Sequence, residues 1–136
     1  YSHASPFARI MENNLATSLT QFGIRTMNDH QKKQATRFNV NVIPINRSPR
    51  DVELKFFEPV YISIDLDGLD PAYAPGVSHP EPGGLSTRDI INFISNIQGE
   101  IIGADIVEYN PYKDINEITA ITAGKLLKEL MGKIIE

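Results

Sequence analysis

Ser63-Ile64-Asp65-Leu66-Asp67-Gly68-Leu69-Asp70-Pro71 is the stretch that decides how this chain is read. The residues leading into it, Val60 to Leu66, are apolar and β-branched. That predicts a strand buried on both faces, as inside a parallel sheet. Asp65 and Asp67 fall at its C-terminal end, where open parallel sheets bind their ligands. Residues i and i+2 of a strand share a face, so the spacing brings two carboxylates to one spot. Like charges so placed repel unless a cation lies between them. Carboxylates suit hard cations such as Mg²⁺, Ca²⁺ and Mn²⁺. The competing reading is structural, with one Asp capping the turn and the other solvated. Asp70-Pro71 reads as a turn former whose side chain ties the next loop together.

Downstream, residues 68–85 carry Gly68, Pro71, Pro75, Gly76, Pro80, Pro82, Gly83 and Gly84. A loop of that length inside a compact domain is usually functional. Ser86 and Asp89 have capping-box spacing and predict a helix with Ile90, Ile91, Phe93, Ile94 and Ile97 on its apolar face, ending at Gly99. Ile101 to Tyr109 reads as the last strand, and Ile115 to Ile135 as a helix whose interior Gly124 marks close packing. Upstream, Ser5 and Pro6 open a helix over 5–16. A short buried strand follows over Leu19 to Ile24. A helix capped by Asn28 or Asp29 runs to Arg37, then a strand over Asn39 to Ile45 with Pro44 at its end or on an edge. Residues 46–58 read as a short helix or a loop. This alternation predicts a single domain over residues 1–136, an α/β fold with a mostly parallel sheet covered by helices.

The chain has 136 residues, 41% hydrophobic and 22% charged, a globular composition. It has no cysteine, which excludes disulfides, thiolate metal sites and a cysteine nucleophile. A net charge of −4 without a basic stripe argues against nucleic acid. No apolar stretch is long enough to span a bilayer and no leader pattern is visible, so a cytoplasmic protein without a membrane partner is expected. Walker, dinucleotide and Gly-x-Ser-x-Gly patterns are absent.

Glu108, followed by Tyr109-Asn110-Pro111, lies at the end of the last strand. There it can bind a planar cation through two parallel hydrogen bonds or anchor a loop. Asp105 reads as buried in that strand. Of the three histidines, His30 reads as surface, His79 lies in the proline-rich loop, and His3 precedes the first helix. A histidine near a metal centre can move protons near neutral pH.

Together, Ser63 to Pro71, Ala74-Pro75-Gly76 and Pro82-Gly83-Gly84-Leu85-Ser86 resemble the signature of the arginase/agmatinase (ureohydrolase) family. Ala104-Asp105-Ile106-Val107-Glu108-Tyr109-Asn110-Pro111 resembles its second C-terminal signature. Tyr1 to Glu12 and Gln21 to Arg25 resemble the middle of plant-type arginases. The resemblance implies a three-layer α-β-α arrangement with a mostly parallel sheet, of which this chain is the C-terminal portion. It implies a site holding two Mn²⁺, with Asp65 and Asp67 among the metal ligands. It also implies Glu108 on the substrate guanidinium, His3 shuttling protons, and a homo-oligomer, trimer or hexamer. His79 and Asn28 are candidates for substrate contact, and arginine and agmatine both stay open as substrates. The implied reaction is hydrolysis to urea and an amine.

The family's other metal ligands, an upstream His and an Asp-x-His-x-Asp run, are not in these residues. The expectation is therefore that the 136 residues alone are inactive or nearly so, as a piece of a longer protein. The alternative is a non-catalytic ureohydrolase-like module with a structural or interaction role.

Overall fold

The computed structural model describes residues 5–48, 52 and 54–135. They fall into two compact units, Tyr1–Asn46 and Arg47–Glu136.

The first unit runs α1 (Pro6–Glu12), β1 (Thr20–Ile24), α2 (Asp29–Arg37) and β2 (Asn41–Pro44). Proline opens α1 at its first turn, as expected. The helix stops at Glu12 instead of running to residue 16. Asn13 donates both its backbone and its side-chain N–H to the Arg9 carbonyl, and Asn14 turns left-handed with φ 52°. The two asparagines thus take over the helix end. Asn28 caps α2 through a reciprocal box with Gln31, both bonds 2.8 Å. β1 and β2 pair in parallel, Thr20 opposite Asn41. Pro44 is the last residue of β2, where a missing N–H does least harm.

The second unit runs β3 (Leu54–Lys55), β4 (Val60–Asp65), a 3₁₀ turn (Leu66–Gly68), α3 (Thr87–Asn96), β5 (Ile97–Gln98), β6 (Ile101–Val107) and α4 (Ile118–Ile135). β4 pairs with β6 and β3 with β5, both in parallel. Every ladder among the described residues is therefore parallel. The Ser86/Asp89 capping box opens α3 as its spacing predicts. The helix ends at Asn96, not Gly99, and residues 46–58 are not wholly loop or helix. Ile97 goes extended and pairs with Leu54. Gly99 turns the chain at φ 142°, with the Phe56 carbonyl 2.9 Å from where a Cβ would stand.

The core gathers Ile62, Ile64 and Leu66 with Ile90, Ile91 and Ile94 of α3 and Leu126 and Leu130 of α4. α3 packs on α4, and α4 on β6. Each fully buried leucine contributes about 1.5–3 kcal/mol relative to an exposed one. Burial on both faces of β4 does not occur within the unit. Ile62 and Ile64 are buried, but Tyr61 is 59% exposed, so burial is confined to the isoleucine face.

α4 starts at Ile118 rather than Ile115, because Asn116 and Glu117 are left-handed (φ 49° and 59°). Gly124 does not mark close packing in this unit, since a Cβ there would meet nothing within 4 Å. No helix of the described residues is long and apolar enough to cross a membrane.

Candidate functional site

The parallel register of β4 and β6 sets the site. Asp65 stands opposite Val107, so Glu108 is the next residue beyond the partner of Asp65. Neighbouring strands lie about 4.8 Å apart. Both carboxylates therefore sit at the C-terminal edge of one ladder. Asp67 arrives there differently from what alternation predicts. The strand ends at Asp65, and Asp67 belongs to the 3₁₀ turn that follows. The Asp65 side chain caps that turn, its Oδ1 accepting the Asp67 N–H at 2.9 Å. Turn geometry, not the strand pleat, carries the second carboxylate.

Glu108 follows the last strand residue and has φ 66°. A left-handed conformation costs a residue with a side chain about 1–2 kcal/mol, so its neighbours must hold it. Tyr109 bridges to Val77, and the Asn110 N–H donates to the Gly76 carbonyl at 2.8 Å.

The proline-rich loop is packed, with Leu69, Ala74, Val77 and Leu85 buried. Asp70 ties it as expected, its two carboxylate oxygens accepting the N–H of Ala72 (2.9 Å) and Gly83 (2.7 Å). The main chains of Asp70 and Leu85 join at 2.9 Å, and those of Leu85 and Gly68 at 3.0 Å. Gly84 is squeezed between them: a Cβ would lie 2.4 Å from the Asp70 nitrogen and from the Leu69 carbonyl carbon. The exposed His79 reaches the centre through its backbone, donating its N–H to Asp67 Oδ1 at 3.4 Å.

Asp105 is half-buried and accepts from Ser63 Oγ (2.6 Å) and the Tyr61 hydroxyl (3.0 Å) across the ladder. The hydrogen bond to Asp105, then burial, then the charge of Asp105 raise the Tyr61 hydroxyl above the usual phenol range.

Two residues the sequence reading passed over anchor the loop from behind. The buried Thr119 Oγ1 accepts the Gly76 N–H at 2.7 Å. Asp114 accepts the N–H of Thr119 (2.9 Å) and Ala120 (3.0 Å), standing in for a cap directly before α4. Burial pushes its carboxyl up, but hydrogen bonds from Thr119, Ala120 and Ile115 outweigh that and lower it to about 2. Asp114 lies three residues ahead of the usual capping position, so no spacing rule finds it.

His3 lies outside the described residues, so its proposed role has no geometry here. Asn28 belongs to the first unit, where its Oδ1 serves as the α2 cap. His30 is exposed, as read. Among the described residues no three or more His, Asp or Glu side chains converge as metal ligands. Asp65 and Asp67 are hard oxygen donors of the kind Mn²⁺ accepts, so they fit such an ion in type and fall short of a full set in number.

Fold and site together define an α/β domain with carboxylates at the C-terminal ends of parallel strands. The comparisons narrow the class. The family model described as "Arginase family" matches residues 1–132. The chain is 50% identical over 142 residues to "Arginase 1, mitochondrial" of Arabidopsis thaliana, covering 98% of this chain and 42% of that protein. It is 35% identical over 140 residues to "N(1)-aminopropylagmatine ureohydrolase" of Thermus thermophilus, covering 97% of this chain and 46% of that one. The solved arginase from Medicago truncatula superposes with a TM-score of 0.91 at 49% identity, covering 98% of this chain and 45% of that chain. The chain belongs to the arginase family and has its arginase-like α/β fold. It spans less than half the length of these relatives.

Proposed function

We propose that this chain carries the carboxylate part of a ureohydrolase site that splits a guanidino compound, arginine or agmatine, into urea and an amine. The observation that carries the reading is the β4–β6 register, which places Glu108 one residue past the partner of Asp65. A guanidinium stays protonated in this pH range and is planar. Glu108 would pair with it through two parallel hydrogen bonds and offset its charge. Asp65 and Asp67 would hold Mn²⁺, two ions per complete site with ligands from elsewhere. Bound metal supplies Lewis acidity and a ready nucleophile at neutral pH. Water adds to the guanidinium carbon, the bond to the alkyl nitrogen breaks, and the products are urea and a protonated amine. His3 would relay the proton to the leaving nitrogen. His79 and Asn28 are the proposed contacts to the rest of the substrate.

The test is a graft in which these 136 residues replace the matched region of the Medicago truncatula arginase. Urea release from arginine or agmatine is expected. Asp65→Asn, Asp67→Asn and Glu108→Gln should each lower it at least about a hundredfold, more than outer-shell partners ordinarily contribute. A folded graft that releases no urea from either compound overturns the reading. The 136 residues alone, with Mn²⁺, are proposed to release little or none, and robust release removes that part.

One observation favours a second reading, a non-catalytic ureohydrolase-like module: no third metal ligand joins the pair among the described residues. Metal analysis of the purified graft, which supplies the remaining ligands, separates the two readings. Two tightly held Mn²⁺ per chain support the enzyme.

A further inference from the structure

The loop that carries His79 and the turn that carries Glu108 are joined by a hydrogen-bonded patch that the roles above do not use. Asn110 sits at its centre. Its N–H donates to the Gly76 carbonyl at 2.8 Å, and its Nδ2 donates to Ser78 Oγ at 3.3 Å. Its Oδ1 accepts the Tyr112 N–H at 3.1 Å, which holds the side chain in orientation. Lys113 Nζ donates to the Ser78 carbonyl at 2.9 Å, and the Lys113 N–H returns to the Asn110 carbonyl at 3.1 Å. The latched segment, residues 76–78, runs directly into His79, whose N–H rests on Asp67. On the other side, Asn110 is two residues from Glu108, whose left-handed backbone needs an external hold. The same few bonds therefore fix both the loop against Asp67 and the turn bearing Glu108.

We infer that Asn110 is the positioning residue of this site, latching residues 76–78 to the end of β6 so that the Asp67 and Glu108 carboxylates keep one fixed spacing. The inference rests on the guanidino reading above only for what that spacing serves. Asn110 touches neither metal nor substrate in this role. Ser78 is its partner, and Lys113 closes the patch from outside.

Amide hydrogen exchange on the chain itself tests the latch. Asn110→Ala and Ser78→Ala should each speed exchange at the His79 and Asn110 amides about tenfold, the change expected of one lost hydrogen bond. Exchange in β4 and α3 should stay unchanged, and the double variant should exchange no faster than the faster single one, because both remove the same bond. In the Medicago graft, the same variants should lower kcat/KM about tenfold, mainly through KM, at unchanged Tm. Unchanged exchange at residues 76–79 overturns the inference. So does faster exchange spread evenly over the unit with a lowered Tm, or a graft whose KM and kcat do not move. If the unsubstituted graft releases no urea, the guanidino reading falls and the exchange result alone decides the latch.

Discussion

The two units of this chain are held by different forces. In Tyr1–Asn46 neither helix has a buried residue, and the described buried position is Gly23. What orders it is the parallel β1–β2 ladder together with local closures: the Asn28 box, the Asn13 closure and the Arg9–Glu12 ion pair at 2.6 Å. In Arg47–Glu136 lie all the buried hydrophobic side chains described, from Leu54 to Leu130. Local signals are enough to start and stop helices, but a site needs a packed base, and the carboxylates stand on the unit that has one.

The sharpest way to break this contrast is a cavity. Leu126→Ala, at a fully buried position, should cost about 2–5 kcal/mol in chemical denaturation. No substitution of an α1 or α2 side chain should approach that. Next comes Gly84→Ala, where the added Cβ would meet main chain at 2.4 Å. Overpacking of that kind costs about 1–3 kcal/mol, and a thermal melt reads it. Smaller still are the caps. Ser86→Ala should cost about 1 kcal/mol of global stability, and Asn28→Ala about the same in the local stability of α2 alone. Exchange should show the second confined to α2. Equal losses of global stability from both would undo the distinction.

Asp114 is read out through pH. Its carboxyl lies near 2 when folded and at the ordinary 3.8 when unfolded. Its contribution is therefore complete above about 3.8 and is lost as pH falls toward about 2. Asp114→Asn should flatten the acid limb of a stability-against-pH curve over that window. A limb unchanged by the substitution would assign it to other carboxylates.

Much of the fold was legible in the sequence because its signals are short-range. Pro6, the Asn28 and Ser86 caps and the β-branched run into Asp65 all act within a few residues. The misses are places where distant main chain or a left-handed turn decides. Ile97 leaves its helix because Leu54 offers a ladder, and α4 starts late because Asn116 and Glu117 turn left-handed ahead of it. At the site, Asp65, Asp67 and Glu108 were readable as carboxylates at strand ends. How Asp67 gets there was not, since a 3₁₀ turn and a strand pleat put residue i+2 in different places. The Asn110–Ser78 contact joins residues 32 apart and leaves no spacing signal.

Asp70 has a last consequence, for length rather than strength. By gripping Ala72 and Gly83, it closes the neck of the intervening loop while Pro80, Glu81 and Pro82 stand exposed at its tip. Closure entropy rises slowly with loop size, about 0.6 kcal/mol per doubling. Extra residues between Glu81 and Pro82 should therefore be tolerated, whereas a single residue inserted beside Asp70 or Gly84 would part the neck. Where this loop varies in size, it should do so at the tip, changing what surrounds the carboxylates without moving them.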